Sequence, residues 1–180
     1  TPLGNIVLKN FHKTVEFVNL GQAYRLDVNK KFPFKNKDHT ALTYSAQEAK
    51  PMLIFHQLAQ LADLNIGDCD GWRPIVHMIR QNREDDIRSM LAAFKQSLDL
   101  KVVDEEGRTL IHHVVMPKVF GSYENAALLE LLIPHVDINK KDKKGNSPLV
   151  YAKLQESGVL YKVLLKHKAI ESSMESDVKR

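Results

Sequence analysis

One cysteine, Cys69, stands among the 180 residues. A single thiol excludes an intrachain disulfide and suits a reducing compartment. Long apolar runs are missing too. The most apolar stretch, Ala126 to Ile133, is interrupted by Glu130 and closed by Pro134, and it falls well short of the roughly 20 residues that a membrane-spanning helix requires. There is no Gly-rich phosphate loop, no pair of His at metalloprotease spacing, no paired Cys and no nucleophile elbow, so the common local signatures of catalysis are absent. The first residues lack an initiator Met and the charged, apolar, small-residue series of a signal peptide. We therefore expect a piece of a longer protein, cytoplasmic or nuclear, with no catalytic residue, cofactor, metal or small-molecule substrate of its own.

What is present is ordinary in amount but not in arrangement. Hydrophobic residues make up 43% and charged residues 27%, which places the chain among folded soluble proteins rather than disordered ones. The net charge of +4 is unevenly laid out. Residues 1–60 carry eight basic and four acidic side chains, residues 61–137 eight and thirteen, and residues 138–180 ten and five. A basic, acidic, basic order fits polar protein surfaces better than a single phosphate-binding groove.

The organising feature is internal repetition. The segments DCDGWRPIVHM from Asp68, DEEGRTLIHHV from Asp104 and DKKGNSPLVYA from Asp142 superpose without gaps. Gly71, Gly107 and Gly145 are 36 and 38 residues apart, and Asp38 occupies the same slot 33 residues before Gly71. A second series keeps step. Asp63-Leu64-Asn65, Asp99-Leu100-Lys101 and Asp137-Ile138-Asn139 each begin five residues before an Asp-x-x-Gly, and Asp27-Val28-Asn29 repeats the pattern.

These residues resemble the ankyrin repeat, a unit of about 33 residues with a Thr-Pro-Leu-His-x-Ala signature in a turn followed by two helices. The resemblance covers nearly the whole chain. Thr1-Pro2-Leu3-Gly4 opens a first unit, Phe11-His12 matches an inter-helix Gly-His, and Thr14 to Leu20 matches a second helix. Ser147-Pro148-Leu149 opens the last unit, and Val163 to Ala169 matches the Leu-rich second-helix ending. The resemblance implies an all-α ankyrin-repeat solenoid of stacked helix-turn-helix units with protruding turn or hairpin fingers. Its domain would span residues 1–171, with repeats near 1–34, 35–67, 68–103, 104–141 and 142–171. A polar tail at 172–180 is expected to be disordered.

The pattern has physical reasons. Gly after two polar residues permits the positive φ of a tight turn, and the following Thr or Ser is placed to cap a helix. Pro74 and Pro148 fall at first helical positions, where a missing N–H costs nothing. Ile75, Ile111 and Leu149 are expected inward on first helices. Leu53, Leu58 and Leu61, then Ile87, Met90 and Leu91, then Leu128, Leu131 and Leu132 recur at helical spacing on second helices and are expected to be buried there. Departures are local: Arg73 replaces the capping Thr, Asp38 the turn Gly, and Met116 to Asn125 is an inter-helix insertion expected to be a surface loop.

The resemblance also implies a concave binding face made by the fingers and the first helices, and register assigns residues to it. The exposed slot of the signature falls on Asn5, Tyr44, His77, His113 and Tyr151, and the slot after the turn Gly on His39, Trp72, Arg108 and Asn146. The fingertips carry Asn36 and Lys37, Cys69 and Asp70, Glu105 and Glu106, then Lys143 and Lys144. Large rigid side chains with polar tips are the types that anchor interfaces. We therefore expect Tyr44, Trp72, His77, Arg108, His113 and Tyr151 to contact a protein or peptide partner, with Glu105, Glu106, Lys143 and Lys144 setting its orientation.

Other readings of individual residues are weaker. Neighbouring His112 and His113 point about 100° apart on a helix and cannot chelate one ion together; the resemblance makes His112 a structural hydrogen-bonding residue. Glu84-Asp85-Asp86 begins a second helix, where the helix dipole accounts for it. The reading expected here is a non-catalytic protein-interaction module, monomeric by default. A regulatory or substrate-recruiting segment of a larger enzyme is one alternative, and nucleic-acid binding through the basic ends is another.

Overall fold

Each helix among the described residues is too short to persist alone. The helices run from 6 to 11 residues, below the length at which an isolated helix is stable in water. Packing of helix pairs must supply the stability, and the computed structural model shows how. It describes residues 27–49, 51–116 and 125–169. Residues 1–26 of the N-terminal repeat, with Asn5, the tail at 172–180 and most of the 116–125 insertion lie outside the described residues.

The chain forms two compact units, one ending at Asp99 and the other starting at Leu100. In the first, strands β1 (Phe32–Phe34) and β2 (Lys37–His39) form an antiparallel hairpin, with Phe32 opposite His39 and Phe34 opposite Lys37. Four helices follow: α1 (Ala41–Gln47), α2 (Met52–Ala59), α3 (Pro74–Arg80) and α4 (Glu84–Phe94). Helix α1 packs on α2 and on α3, and α3 packs on α4. Leu42, Phe55, Leu58, Met78, Ile79, Ile87 and Met90 are fully buried between them.

The second unit contains α5 (Leu110–Val115), α6 (Ala126–Leu132) with a 3-10 turn at Ile133–His135, α7 (Pro148–Leu154) and α8 (Gly158–Lys166). Helix α5 packs on α6 and α7, and α8 on α6 and α7. Ile111, Leu128, Leu129 and Leu132 are fully buried there. The 116–125 insertion thus separates α5 from α6, as the repeat pattern predicts.

Helix starts follow local chemistry. Thr40 caps α1, accepting from the Thr43 amide at 3.2 Å while the Thr43 hydroxyl accepts from the Thr40 amide at 2.8 Å. Pro74 and Pro148 occupy first helical positions. Asn125 caps α6 through the Leu128 amide at 2.8 Å. Arg73 sits at the N-cap of α3 without capping it; its Nε instead donates to the Asn65 carbonyl at 2.6 Å. Ser147 departs from the expectation. It stands at the N-cap of α7, but its buried hydroxyl makes no hydrogen bond among the described residues.

The inward positions of the first helices hold, with Ile75, Ile111 and Leu149 buried. Leu53 does not. It is 69% exposed, and Ile54 and Phe55, about 100° and 200° further round the helix, fill the interior with Leu58 instead. Leu61 and Leu131 are half-buried.

The Asp-Leu-Asn series forms a ladder in the first unit. Each leading Asp accepts from the amide two residues on, Asp27 from Asn29 and Asp63 from Asn65. The Asn side chain then reaches the next repeat: Asn29 Oδ1 accepts from the Asp63 amide and Asn65 Oδ1 from the Asp99 amide, both at 2.8 Å. One polar side chain per repeat thus links successive repeats within that unit.

Candidate functional site

The fingers are built on one repeated device. Asp68, Asp104 and Asp142 each turn Oδ1 toward their own finger, accepting from the amides two and four residues on. The six distances lie between 2.9 and 3.0 Å. The main chain closes the same loop, the Asp amide donating to the carbonyl four residues on and the Gly amide to the Asp carbonyl. Gly71, Gly107 and Gly145 have φ of 72°, 77° and 80°, a conformation that glycine adopts at little cost.

The second oxygen of each Asp faces the first helix of its own repeat. Asp68 Oδ2 lies 3.0 Å from His77 Nε2, Asp104 Oδ2 lies 3.1 Å from His113 Nε2, and the Tyr151 hydroxyl donates to Asp142 Oδ2 at 2.6 Å. Arg108 Nε adds a 2.7 Å bond to Asp104 Oδ2. One carboxylate therefore ties a finger to the helix that follows it. Burial on its own would raise all three carboxyl pKa values. The hydrogen bonds from the side chains of His77, His113 or Tyr151 and from the finger amides outweigh it, holding each below the ordinary carboxylate value.

This device corrects the expected binding face. The slot predicted to be exposed is turned inward: Tyr44, His77 and His113 are 4%, 5% and 1% exposed. His77 and His113 face the carboxylates that hold their fingers. Tyr44 lies in a repeat where Lys35 stands at the Asp position, and there aromatic packing takes over, with ring centroids 4.8 Å from Phe34 and 5.8 Å from Phe32. Tyr151 is half-buried. His39, in the slot after the turn, is fully buried.

The remaining assigned residues are accessible. Trp72 is half-buried, edge-on to His77 at 5.6 Å, with the Arg80 guanidinium 5.7 Å from its ring centroid. Arg108 is half-buried beside Asp104, while Glu105, Glu106, Lys143 and Lys144 are exposed. Adjacent fingers are joined within each unit by one main-chain bond, Cys69 amide to Asp38 carbonyl at 3.1 Å and Lys143 amide to Glu106 carbonyl at 2.9 Å. Lys37 also pairs with Asp70. Finger charge is thus partly satisfied between neighbours as well as offered outward.

The first finger differs from the others. It is a hairpin whose positive φ values fall on Lys35 (48°) and Asn36 (63°), the pair that closes a two-residue turn. Asp38, aligned with the turn glycines, lies in β2. The turn has moved toward the N-terminus, and no glycine is needed.

His112 takes the structural role that the resemblance implies. Its Nδ1 accepts from the Thr109 amide at 3.0 Å, so Nε2 carries the proton and donates to the Asn146 carbonyl at 3.1 Å. Burial pushes its pKa down.

A second cluster went unread in the sequence. His39, Asp68 and His77, all buried, each bring one ligand atom within 4.8 Å of the other two, with His77 Nε2 3.0 Å and His39 Nδ1 4.0 Å from Asp68 Oδ2. Neighbouring histidines and helical His spacing do not reveal it, because these three residues come from β2, the second finger and α3. The signal for half of the arrangement was available: the distance from Asp to His or Tyr is nine residues in all three repeats.

No helix among the described residues is long and apolar enough to cross a membrane. No family model matches the chain. An ankyrin repeat protein of Rickettsia felis is 34% identical over 95 residues, 52% of this chain and 24% of the relative. The chain thus spans about a quarter of the length of that curated relative. Among solved structures, the ankyrin repeat domain of Bcl-3, described as a unique member of the IkappaB protein family, matches with a TM-score of 0.77 at 24% identity, covering 94% of this chain and 72% of that one. The Asp-x-x-Gly fingers, the paired short helices and these two likenesses converge: the chain has the all-α ankyrin-repeat fold and resembles the ankyrin-repeat family in sequence.

Proposed function

We propose that this chain is a non-catalytic protein-interaction module that presents its fingers to a partner protein or peptide. The observation that carries the reading is the Asp device. Three buried carboxylates hold the fingers in one geometry, which lowers the ordering cost that a binding loop otherwise incurs on association. The side chains left accessible on those fingers, and Tyr151 on the helix beneath the last, are of the types that make interfaces: Trp72 with Arg80 beside it in the first unit, and Arg108, Glu105, Glu106, Lys143 and Lys144 with Tyr151 in the second. Tyr44, His77 and His113 support the fingers from beneath. Trp72 is the expected affinity anchor, and the finger charges act on orientation and association rate.

The test is affinity capture with the 180-residue chain, its Trp72→Ala variant, and a charge-reversed variant carrying Glu105→Lys, Glu106→Lys, Lys143→Glu and Lys144→Glu. A partner found by the wild type is then purified and titrated. Trp72→Ala is expected to weaken binding by about tenfold or more, matching the 1–2 kcal/mol or greater cost of losing an aromatic anchor. Unchanged affinity in both variants, with intact folds, would remove the fingers from the binding face.

A further inference from the structure

We propose that His39, Asp68 and His77 form a binding site for one divalent transition-metal ion of the zinc class. The nitrogen and oxygen ligand atoms come from three separate elements of the first unit and converge on one point. His77 Nε2 is 3.0 Å and His39 Nδ1 is 4.0 Å from Asp68 Oδ2. Zinc bonds to His nitrogen and carboxylate oxygen of about 2.0–2.2 Å at a tetrahedral angle require ligand atoms about 3.3–3.5 Å apart. These two separations lie on either side of that value and all three ligand atoms lie within 4.8 Å of one another, so binding draws the two imidazoles in around the ion. Three protein ligands leave a fourth position for water.

What distinguishes this cluster is His39. The His77 contact has a plain structural reading, since His113 on Asp104 and Tyr151 on Asp142 repeat it. At Asp104 the second partner is the Arg108 guanidinium, a fixed cation that would repel a metal ion. At Asp142 the helix contributes a phenol rather than an imidazole. Only at Asp68, among the described residues, does a second imidazole arrive. His39 is fully buried, and neither of its ring nitrogens makes a hydrogen bond among the described residues. A buried polar group left in that condition costs free energy, and a metal ion would convert the cost into a bond.

The rest of the setting suits ligation. Asp68 Oδ1 is held by the Asp70 and Trp72 amides, which orients the carboxylate and leaves Oδ2 for the ion. Lys37 is already paired with Asp70. Metal binding takes the place of the proton on His77 Nε2: in a neutral ring that proton moves to Nδ1, and an imidazolium releases it to solvent, so protons compete with the ion and affinity falls as pH is lowered.

The experiment uses the full chain, stripped of metal by a chelator and dialysed. Zinc is titrated calorimetrically, and cobalt is added separately to read the visible bands of a four-coordinate ion. One zinc per chain and such bands are expected. His39→Phe, which replaces the imidazole beside Phe34 by another ring, should keep the fold and lower zinc affinity by more than about 100-fold, beyond the range seen for partners outside the coordination shell. Asp68→Asn should do the same, with circular dichroism reporting whether its finger survives. A variant carrying His135→Gln and His167→Gln should bind as the wild type does. Absence of one-to-one zinc binding by the wild type, or undiminished binding by folded His39→Phe, would overturn the site.

Discussion

The ring of His112 joins two repeats. Its Nε2 donates to the carbonyl of Asn146, 34 residues away, across 3.1 Å, while its Nδ1 accepts from Thr109 at the start of its own helix. The side chain is fully buried, so water cannot replace either bond. A helix start in one repeat and the finger of the next therefore share one imidazole.

Replacing His112 by Ala removes both bonds and leaves a cavity, and we expect a loss of about 2–4 kcal/mol. In a repeat fold each unit contacts only its neighbours, so the loss should concentrate in the second compact unit. Urea denaturation gives the size and amide hydrogen exchange gives the place. Equal loss of protection in both units would contradict the nearest-neighbour reading.

Acid should weaken the fold in two stages. His39 and His112 have pKa values pushed below the ordinary histidine value, mainly by burial. The neutral ring is therefore the folded form, and the unfolded chain binds more protons below about pH 6.5, the unperturbed histidine pKa. Stability present above that pH is lost as pH falls. Asp68, Asp104 and Asp142, also held below their ordinary value, add a second loss below about pH 4. The urea midpoint of metal-free protein should thus fall from pH 7.5 to 5.5 and again toward pH 3. His39→Phe should reduce the first drop. A midpoint that rises between pH 7.5 and 5.5 would show that the sign is wrong.

Two glycines of this chain should respond oppositely to alanine. A Cβ at Gly67 would lie 2.6 Å from the Gly71 carbonyl carbon, a main-chain atom that cannot yield without moving the finger. Gly67→Ala is expected to cost about 1–3 kcal/mol, the range for overpacking. Gly158, the first residue of α8, has nothing within 4 Å of the equivalent position. There alanine should be neutral to stabilising by about 0.5 kcal/mol, through helix propensity and a less flexible unfolded chain. Thermal melts of both variants against the wild type make the comparison.

Much of this architecture was legible in one dimension. The Asp-x-x-Gly and Asp-Leu-Asn series carry local chemistry, in which side chains reach amides two to four residues away and glycine takes up a positive φ. Spacing alone locates such contacts. The capping threonines, the first-position prolines and the inward Ile75, Ile111 and Leu149 follow from the same short-range rules.

The binding face was less legible because exposure is a property of neighbours. Register placed His77 and His113 in a slot that the resemblance makes an outer one. His77 and His113 turn toward the carboxylates nine residues upstream, whereas Tyr44, with Lys35 in that place, is buried by packing on Phe32 and Phe34. The exposed Leu53 shows the same limit at helical scale, since several apolar side chains share α2 and its packing on α1 decides which of them turns outward.

The sequence by itself determined the repeat, its turns and its helix starts, since these depend on contacts within a few residues. Only the tertiary structure decided which polar side chains are buried partners and which remain exposed to solvent. It also brought His39, Asp68 and His77 together from three elements separated by up to 38 residues. The reason is physical: local hydrogen bonds are set by spacing, whereas burial and the meeting of distant ligands are set by how successive repeats stack.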